Sequence, residues 1–157
     1  MVDGAKSNNG VPTKIVVGTD GAVTAGRAVD RAIALAGALG GELIIVSAYG
    51  NRAPGGVPAA GVEIDSGWVG AARAAAETCA TEAAEKASAA GVANVSSLVV
   101  GGEPSEVLVK VTADEGADLL VVGSKGMQST ARFLLGPIAN KVSRRVSCDL
   151  LIVETSD

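Results

Sequence analysis

The chain has 157 residues, the size of one domain that can bury a full hydrophobic core. Its net charge of −4 and pI of about 4.8 give no sign of the basic surface that binds nucleic acid, and no apolar run reaches the ~20 residues of a membrane-spanning helix. The absence of histidine excludes Ser-His-Asp and Cys-His catalysis and most zinc sites.

The first residues are rich in glycine, asparagine, serine and aspartate and lack the apolar stretch of a secretory signal. We therefore expect residues 1–12 to be a disordered lead-in and residues 13–157 to form one domain. Cys79 and Cys148 lack the CxxC spacing of redox or zinc pairs. They are typical of small buried residues in a reduced protein, which predicts a cytoplasmic location.

Beyond the lead-in, strand-like and helix-like segments alternate. A β-branched run over residues 15–17 predicts the first strand, and Thr24 is placed to cap the following helix, which runs to about residue 39. The continuous apolar run over residues 43–48 is typical of a parallel strand covered on both faces. Residues 50–67 carry Gly, Pro and Ala without a clear period and predict a long loop. The remaining predicted elements are a helix over residues 69–90, a strand over 95–100, a helix over 105–115, a strand over 119–122, a helix over 138–145 and a strand over 150–153.

This alternation predicts an α/β fold, a three-layer sandwich around a five-stranded parallel sheet. In open sheets of this kind, ligands bind beyond the carboxyl ends of the strands, at the point where the strand order reverses. The most glycine-rich strand ends are Gly18-Thr19-Asp20-Gly21 and the loop that starts at Gly123. If the first and fourth strands are neighbours, both segments line one crevice.

The loop after the fourth strand has the features of a phosphate site. Gly123-Ser124-Lys125-Gly126 is followed by nine residues and then Gly136. Glycines let backbone N–H groups approach an anion, and a helix N-terminus adds donors and a partial positive charge. We expect the N–H groups of Ile138 and Ala139 to serve as such donors. Pro137, by contrast, has no N–H to offer.

Several segments of the chain, in this order and at this spacing, resemble the universal stress protein family from Lys14 to Glu154. They are residues 15–21, 102–104, 117–126, 132–136 and 148–153. The resemblance implies strand order 3-2-1-4-5, the adenine nucleotide alpha hydrolase-like (HUP) class, and a homodimer formed through the last strand, from Leu150 to Val153. Residues 16–49 are also similar to an actinobacterial branch of the family that binds cAMP.

The nucleotide-binding branch of the family carries G-x-x-G, nine residues, then G-[Ser/Thr]. Gly123, Gly126 and Gly136 match this motif, and Pro137 departs from it. The implied ligand is an adenine nucleotide (ATP, AMP or cAMP). Asp20 would lie near the adenine or ribose and could help to hold Mg²⁺ through water. The implied nucleotide-binding residues are Gly18, Thr19, Asp20, Ala48, Val122, Gly123, Ser124, Lys125, Gly126, Gly136, Ile138 and Ala139.

Some of these roles have competing explanations. Ala48 would hydrogen-bond adenine through its backbone, so the type of its side chain neither supports nor opposes the role. Val122 either contacts the adenosine moiety or belongs to the sheet core. Ser124 and Lys125 would face the phosphates, but an exposed loop lysine is often only solvated.

We expect a cytosolic sensor or a nucleotide-sequestering protein rather than an enzyme. Two alternatives stay open at the level of sequence. One is a dimeric interaction module of the same fold that binds no nucleotide, which the proline at position 137 favours. The other is a slow ATPase that uses Mg²⁺ and Asp20. The chain has neither the histidine of a nucleotidyl-transferase motif nor a Walker A sequence.

Overall fold

A computed structural model describes residues 10–20, 23–50, 66–124 and 135–155, with only the backbone described at 23, 24 and 66–68. All the predicted strands and helices are present in it. The strands are β1 (Lys14–Gly18), β2 (Glu42–Tyr49), β3 (Asn94–Gly101), β4 (Leu119–Gly123) and β5 (Asp149–Val153). The helices are α1 (Val23–Leu39), α2 (Ser66–Ala89), α3 (Pro104–Glu115) and α4 (Pro137–Arg145).

Helix starts differ most from the sequence predictions. Helix α1 begins at Val23, so Thr24 lies inside its first turn and the predicted cap at Thr24 is wrong. Helix α2 begins at Ser66, ahead of the predicted start at residue 69, and takes two residues from the predicted loop. Residues 51–65 of that loop, and residues 1–9 of the predicted lead-in, lie outside the described residues. Tertiary packing often overrides local propensity at such positions.

The sheet has the order β3-β2-β1-β4-β5, and every neighbouring pair is parallel. This confirms the predicted class and strand order. Ile15 and Val17 of β1 pack beneath α1 and α2, whereas Val16 packs against α3 and α4 on the opposite face. Because side chains alternate along a strand, a strand covered on both faces must be apolar throughout, as β1 is.

The core within the described residues consists of Val, Leu, Ile and Ala side chains, which agrees with the aliphatic composition. At the amino end of the sheet, Asp118 fixes the start of β1 against β4. Its Oδ2 accepts hydrogen bonds from the backbone N–H groups of Thr13 (3.1 Å) and Lys14 (3.0 Å). None of the helices in the described parts of the chain is both long and apolar enough to cross a membrane.

Candidate functional site

The sheet splits at the carboxyl ends of β1 and β4. These strands pair from Ile15 with Leu119 to Val17 with Val121. Beyond that point β1 stays with β2, because the Thr19 N–H donates to the carbonyl oxygen of Val46 at 2.9 Å. The predicted adjacency of the first and fourth strands is therefore confirmed.

Strand β4 stays with β5 in the same way. Gly123 pairs with Val153, and the Ser124 N–H donates to the Val153 carbonyl oxygen at 2.7 Å. Beyond their last paired residues, β1 therefore continues beside β2 and β4 continues beside β5, which opens a crevice between β1 and β4. This is the switch point of a doubly wound sheet, the place where ligands bind in such folds.

One wall of the crevice is the end of β1. Gly18 has a packing role that the sequence did not reveal, since a Cβ atom there would lie 2.9 Å from Cδ1 of Leu108 on α3. The Thr19 hydroxyl lies 3.5 Å from the Cys79 sulfur on α2. Asp20, the next residue, is exposed. Its role beside a ligand stays a prediction.

The other wall begins at Ser124, which is only 8% exposed. Its hydroxyl donates to Oε1 of Glu154 (3.1 Å) and accepts from the Thr155 N–H (3.1 Å). Its carbonyl oxygen accepts from the Gly136 N–H at 2.7 Å. The polar groups of Ser124 are engaged by protein partners, so this geometry does not direct them towards a phosphate. Lys125 and Gly126 lie outside the described residues.

Helix α4 begins at this wall of the crevice. Gly136 is its N-cap residue, with φ −64° and ψ 166°, and no side chain caps the helix. Any residue can adopt that conformation, so the backbone does not demand glycine at this position. Pro137 occupies the first helical position, and the N–H groups of Ile138 and Ala139 follow. These donors lack intrahelical acceptors, and the helix dipole makes their surroundings favourable for an anion.

Two further predicted residues lie on the central strands. Ala48 is half-buried near the end of β2 and pairs with Val100. The Val122 side chain is buried in the core beneath α3 and α4. This burial favours the core explanation for Val122 over direct contact with a ligand.

A metal held by Asp20 stays a prediction. Among the residues that the structure describes, no three His, Cys, Asp or Glu side chains form a group that could hold an ion.

Sequence reasoning missed two residues behind the crevice. The Arg27 guanidinium on α1 donates to the Thr155 carbonyl oxygen at 3.1 Å. Thr155 follows β5 and is 1% exposed. No local pattern links positions that are 128 residues apart.

A separate groove of about 420 Å³ lies between β3 and α3. Leu98 and Val100 contribute to it from β3, and Val107 and Val111 from α3. Charged residues of α3, including Lys110, also line it. Strand β2 lies between this groove and the crevice.

A parallel sheet of order 3-2-1-4-5, with a crevice between its first and fourth strands, defines the doubly wound class of α/β proteins. Within that class, the model of the universal stress protein family matches residues 12–154, and the chain belongs to this family. The universal stress protein Rv1636 of Mycobacterium tuberculosis (strain ATCC 25618 / H37Rv) is 41% identical over 142 residues, which are 90% of this chain and 96% of that protein.

Two solved structures are similar to the chain over most of its length. A crystal structure of a universal stress protein in complex with cAMP is 36% identical, with a TM-score of 0.70, and the match covers 93% of this chain and 99% of that one. The hypothetical protein MJ0577 is 24% identical with a TM-score of 0.78, over 94% of this chain and 99% of its own, and it shares the fold.

Proposed function

We propose that this protein binds an adenine nucleotide in the crevice between β1 and β4, and that it senses or sequesters the nucleotide rather than turning it over. The observation that carries the proposal is the splitting of the sheet beyond Val17 and Val121, beside the uncapped N-terminus of α4. The similarity to a universal stress protein solved with cAMP supports an adenine nucleotide as the ligand class.

In this proposal the two ends of the ligand contact different walls. The adenosine lies against the end of β1, near Asp20 and the backbone of Ala48. The phosphate faces the N–H groups of Ile138 and Ala139, where oriented donors and the helix dipole favour negative charge. Gly123 keeps the intervening surface clear of a side chain, and Gly136 begins the helix that carries these N–H groups. Lys125 and Gly126 complete the proposed set from the segment outside the described residues, and a bound Mg²⁺ would use Asp20.

Substitution at Gly136 tests the phosphate position. Because its conformation suits any residue, alanine should be accepted there. Aspartate is a favourable N-cap, but its carboxylate would occupy the donors of the first turn and repel a phosphate. We expect Gly136→Asp to lower AMP affinity by roughly tenfold or more, a loss typical of a charge-assisted hydrogen bond. Gly136→Ala is the matched control and should retain affinity.

Calorimetric titration with ATP, AMP and cAMP, combined with thermal melts of both variants, makes the test decisive. Gly136→Asp should melt no lower than Gly136→Ala. Mass spectrometry of small molecules released from the purified protein adds an independent measurement. The proposal is wrong if the wild-type protein binds neither ATP nor cAMP at millimolar concentration.

We also propose that the protein is a homodimer formed through β5. Within the described residues β5 pairs only with β4, so its outer edge faces away from the sheet. The edge carries half-buried apolar residues, among them Leu150 and Ile152, and such an edge is a template for pairing with a second chain. A cytoplasmic location and a domain spanning residues 13–157 remain predictions.

The groove between β3 and α3 favours a second candidate function, a dimeric interaction module that binds no nucleotide. Its apolar floor and charged rim resemble surfaces that bind other proteins. Absence of bound nucleotide after purification, together with failed titrations, would favour this candidate. Slow ATP hydrolysis is tested by turnover measurements against an Asp20→Asn control.

A further inference from the structure

A chain of hydrogen bonds runs behind the crevice from α1 to the N-terminus of α4. The Arg27 Nη1 donates to the Thr155 carbonyl oxygen at 3.1 Å. The Thr155 N–H donates to the Ser124 hydroxyl at 3.1 Å. The Gly136 N–H donates to the Ser124 carbonyl oxygen at 2.7 Å. Three bonds therefore connect four segments that are distant in sequence.

A buried pair of hydroxyl groups braces this chain: the Ser124 hydroxyl is part of it, and the Thr155 hydroxyl lies beside it, against the Ser124 hydroxyl. Ser124 and Thr155 are 8% and 1% exposed, and their hydroxyl oxygens lie 3.3 Å apart. Among the described residues no buried side-chain nitrogen or oxygen lacks a partner. Buried hydroxyls are costly unless they are hydrogen-bonded, and hydrogen bonds are more directional than apolar packing. The pair therefore holds its segments in a defined geometry.

The position of this hydroxyl pair matters for the separation of the two walls of the crevice. Strands β1 and β4 stop pairing at Val17 and Val121, so the backbone ladder no longer sets the separation of the two walls. Arg27 belongs to α1, the helix that continues from the β1 wall. Ser124 continues from the β4 wall and holds Gly136, the N-cap of α4.

We propose that Thr155, through Ser124 and Arg27, is a positioning residue that sets the placement of the α4 N-terminus and with it the phosphate-dependent part of nucleotide affinity. This inference rests on the proposed nucleotide-binding function. The adenosine contacts lie on the β1 wall and do not depend on Gly136. Loss of the Thr155 hydroxyl therefore changes recognition of the phosphate and leaves recognition of adenosine intact.

The test compares adenosine with AMP in three threonine variants. Thr155→Val removes the hydroxyl at nearly constant volume, whereas Thr155→Ser keeps the hydroxyl and removes only the methyl group. Thr112→Val is the matched control, because Thr112 is also buried and its hydroxyl donates to the Leu108 carbonyl oxygen, within α3 (2.8 Å). We expect the ratio of the dissociation constants for adenosine and AMP to fall about tenfold in Thr155→Val, as for one weakened hydrogen bond to a charged group. Thr155→Ser and Thr112→Val should leave the ratio within about twofold of wild type, less than one ordinary hydrogen bond contributes.

A second pair of variants leaves the buried hydroxyls untouched. Arg27 is exposed on α1, and Arg27→Met removes the donor to Thr155. Arg31, on the same helix and also exposed, gives the control Arg31→Met. Arg27→Met should shift the ratio in the same direction as Thr155→Val, and Arg31→Met should not shift it.

Hydrogen exchange of the Gly136 amide supplies a readout that needs no ligand. It should quicken in Thr155→Val and stay unchanged in Thr112→Val. A wild-type protein that binds neither adenosine nor AMP defeats the proposed function, and the exchange data then decide whether Thr155 positions the α4 N-terminus. If Thr155→Val lowers both affinities equally, or if Thr112→Val produces the same ratio change, Thr155 has only a structural role and the inference is overturned.

Discussion

At the scale of single residues, Pro137 has the clearest consequence for ligand choice. It is the first residue of α4 and suits that position, because the N–H that it lacks would have no acceptor within the helix. The same missing N–H is a loss to a phosphate bound at the helix N-terminus. The family motif carries Ser or Thr there, so a hydroxyl is lost as well. The N–H groups of Ile138 and Ala139 remain, and we expect them to suffice for one or two phosphates.

We therefore predict that ATP has little or no affinity advantage over AMP in the wild-type protein. Pro137→Ser should raise ATP affinity by one to two decades, the equivalent of roughly 1–3 kcal/mol for donors restored to a desolvated phosphate. AMP affinity should change little. Titration of both nucleotides into both proteins measures the effect. A wild type that already prefers ATP strongly, or a ratio that Pro137→Ser leaves unchanged, contradicts the prediction.

At the scale of secondary-structure elements, α3 depends on a charged cap. Glu103 is its N-cap residue, and its side chain accepts a hydrogen bond from the Glu106 N–H at 3.1 Å and another from the Ser105 hydroxyl. Lys141 of α4 lies 3.7 Å from the same carboxylate. Burial raises the pKa of Glu103, but the hydrogen bonds from Ser105 and Glu106 and the charge of Lys141 outweigh it and hold the pKa below its usual value.

A folded-state pKa below the unfolded value means that the ionised carboxylate stabilises the fold. This contribution is fully present above the unfolded pKa, about 4.3, and is lost as the pH falls through the folded pKa. We expect Glu103→Gln to lower the free energy of unfolding by about 1 kcal/mol at pH 7, the usual effect of an N-cap. At a pH below the folded pKa the difference from wild type should shrink. Urea denaturation at several pH values measures it.

Glu106→Gln is the control for this prediction. Glu106 lies in the same turn, but it is exposed and its carboxylate is 4.0 Å from Arg145. Exposed ion pairs contribute little, so this variant should stay close to wild type at both ends of the pH range. Equal pH profiles for wild type and Glu103→Gln would show that the carboxylate has no such role.

At the scale of the whole molecule, each edge strand of the sheet has residues whose backbone N–H and carbonyl groups point away from the sheet, where a second copy could pair with them. In a parallel ladder, successive residues point their backbone groups to opposite sides. The Val153 carbonyl points towards β4, where it accepts from the Ser124 N–H, so Ile152 points its N–H and carbonyl outwards. On the other edge the Gly102 N–H donates to the Tyr49 carbonyl oxygen, so Val99 of β3 points outwards.

These directions give a matched test of the proposed dimer. Proline is tolerated at an outward-facing position of an edge strand, but it removes the N–H that a partner strand would use. We predict that wild type is a dimer by light scattering, that Ile152→Pro halves the measured mass or aggregates, and that Val99→Pro stays dimeric. A monomeric wild type at high concentration, or equal effects of the two prolines, contradicts pairing through β5.

Much of this architecture follows from local sequence patterns. The apolar runs of β1 and β2 require cover on both faces, and glycines end the helices before the next strand, as at Gly40 and Gly116. A crevice at the ends of the first and fourth strands could therefore be predicted, along with the glycines that border it. The start of α2 could not, because the helix continues through residues whose own composition favours a loop.

Only the tertiary structure decided which distant residues contact the two walls of the crevice. Gly18 matters because Leu108 packs against it from a helix ninety positions later in the sequence. Ser124, which the motif assigned to the phosphates, instead bonds to Thr155. Hydrophobic periodicity and turn residues specify the elements, because they act over a few neighbouring positions. Contacts between distant segments exist only once the sheet order has brought them together, so they leave no local pattern in the sequence.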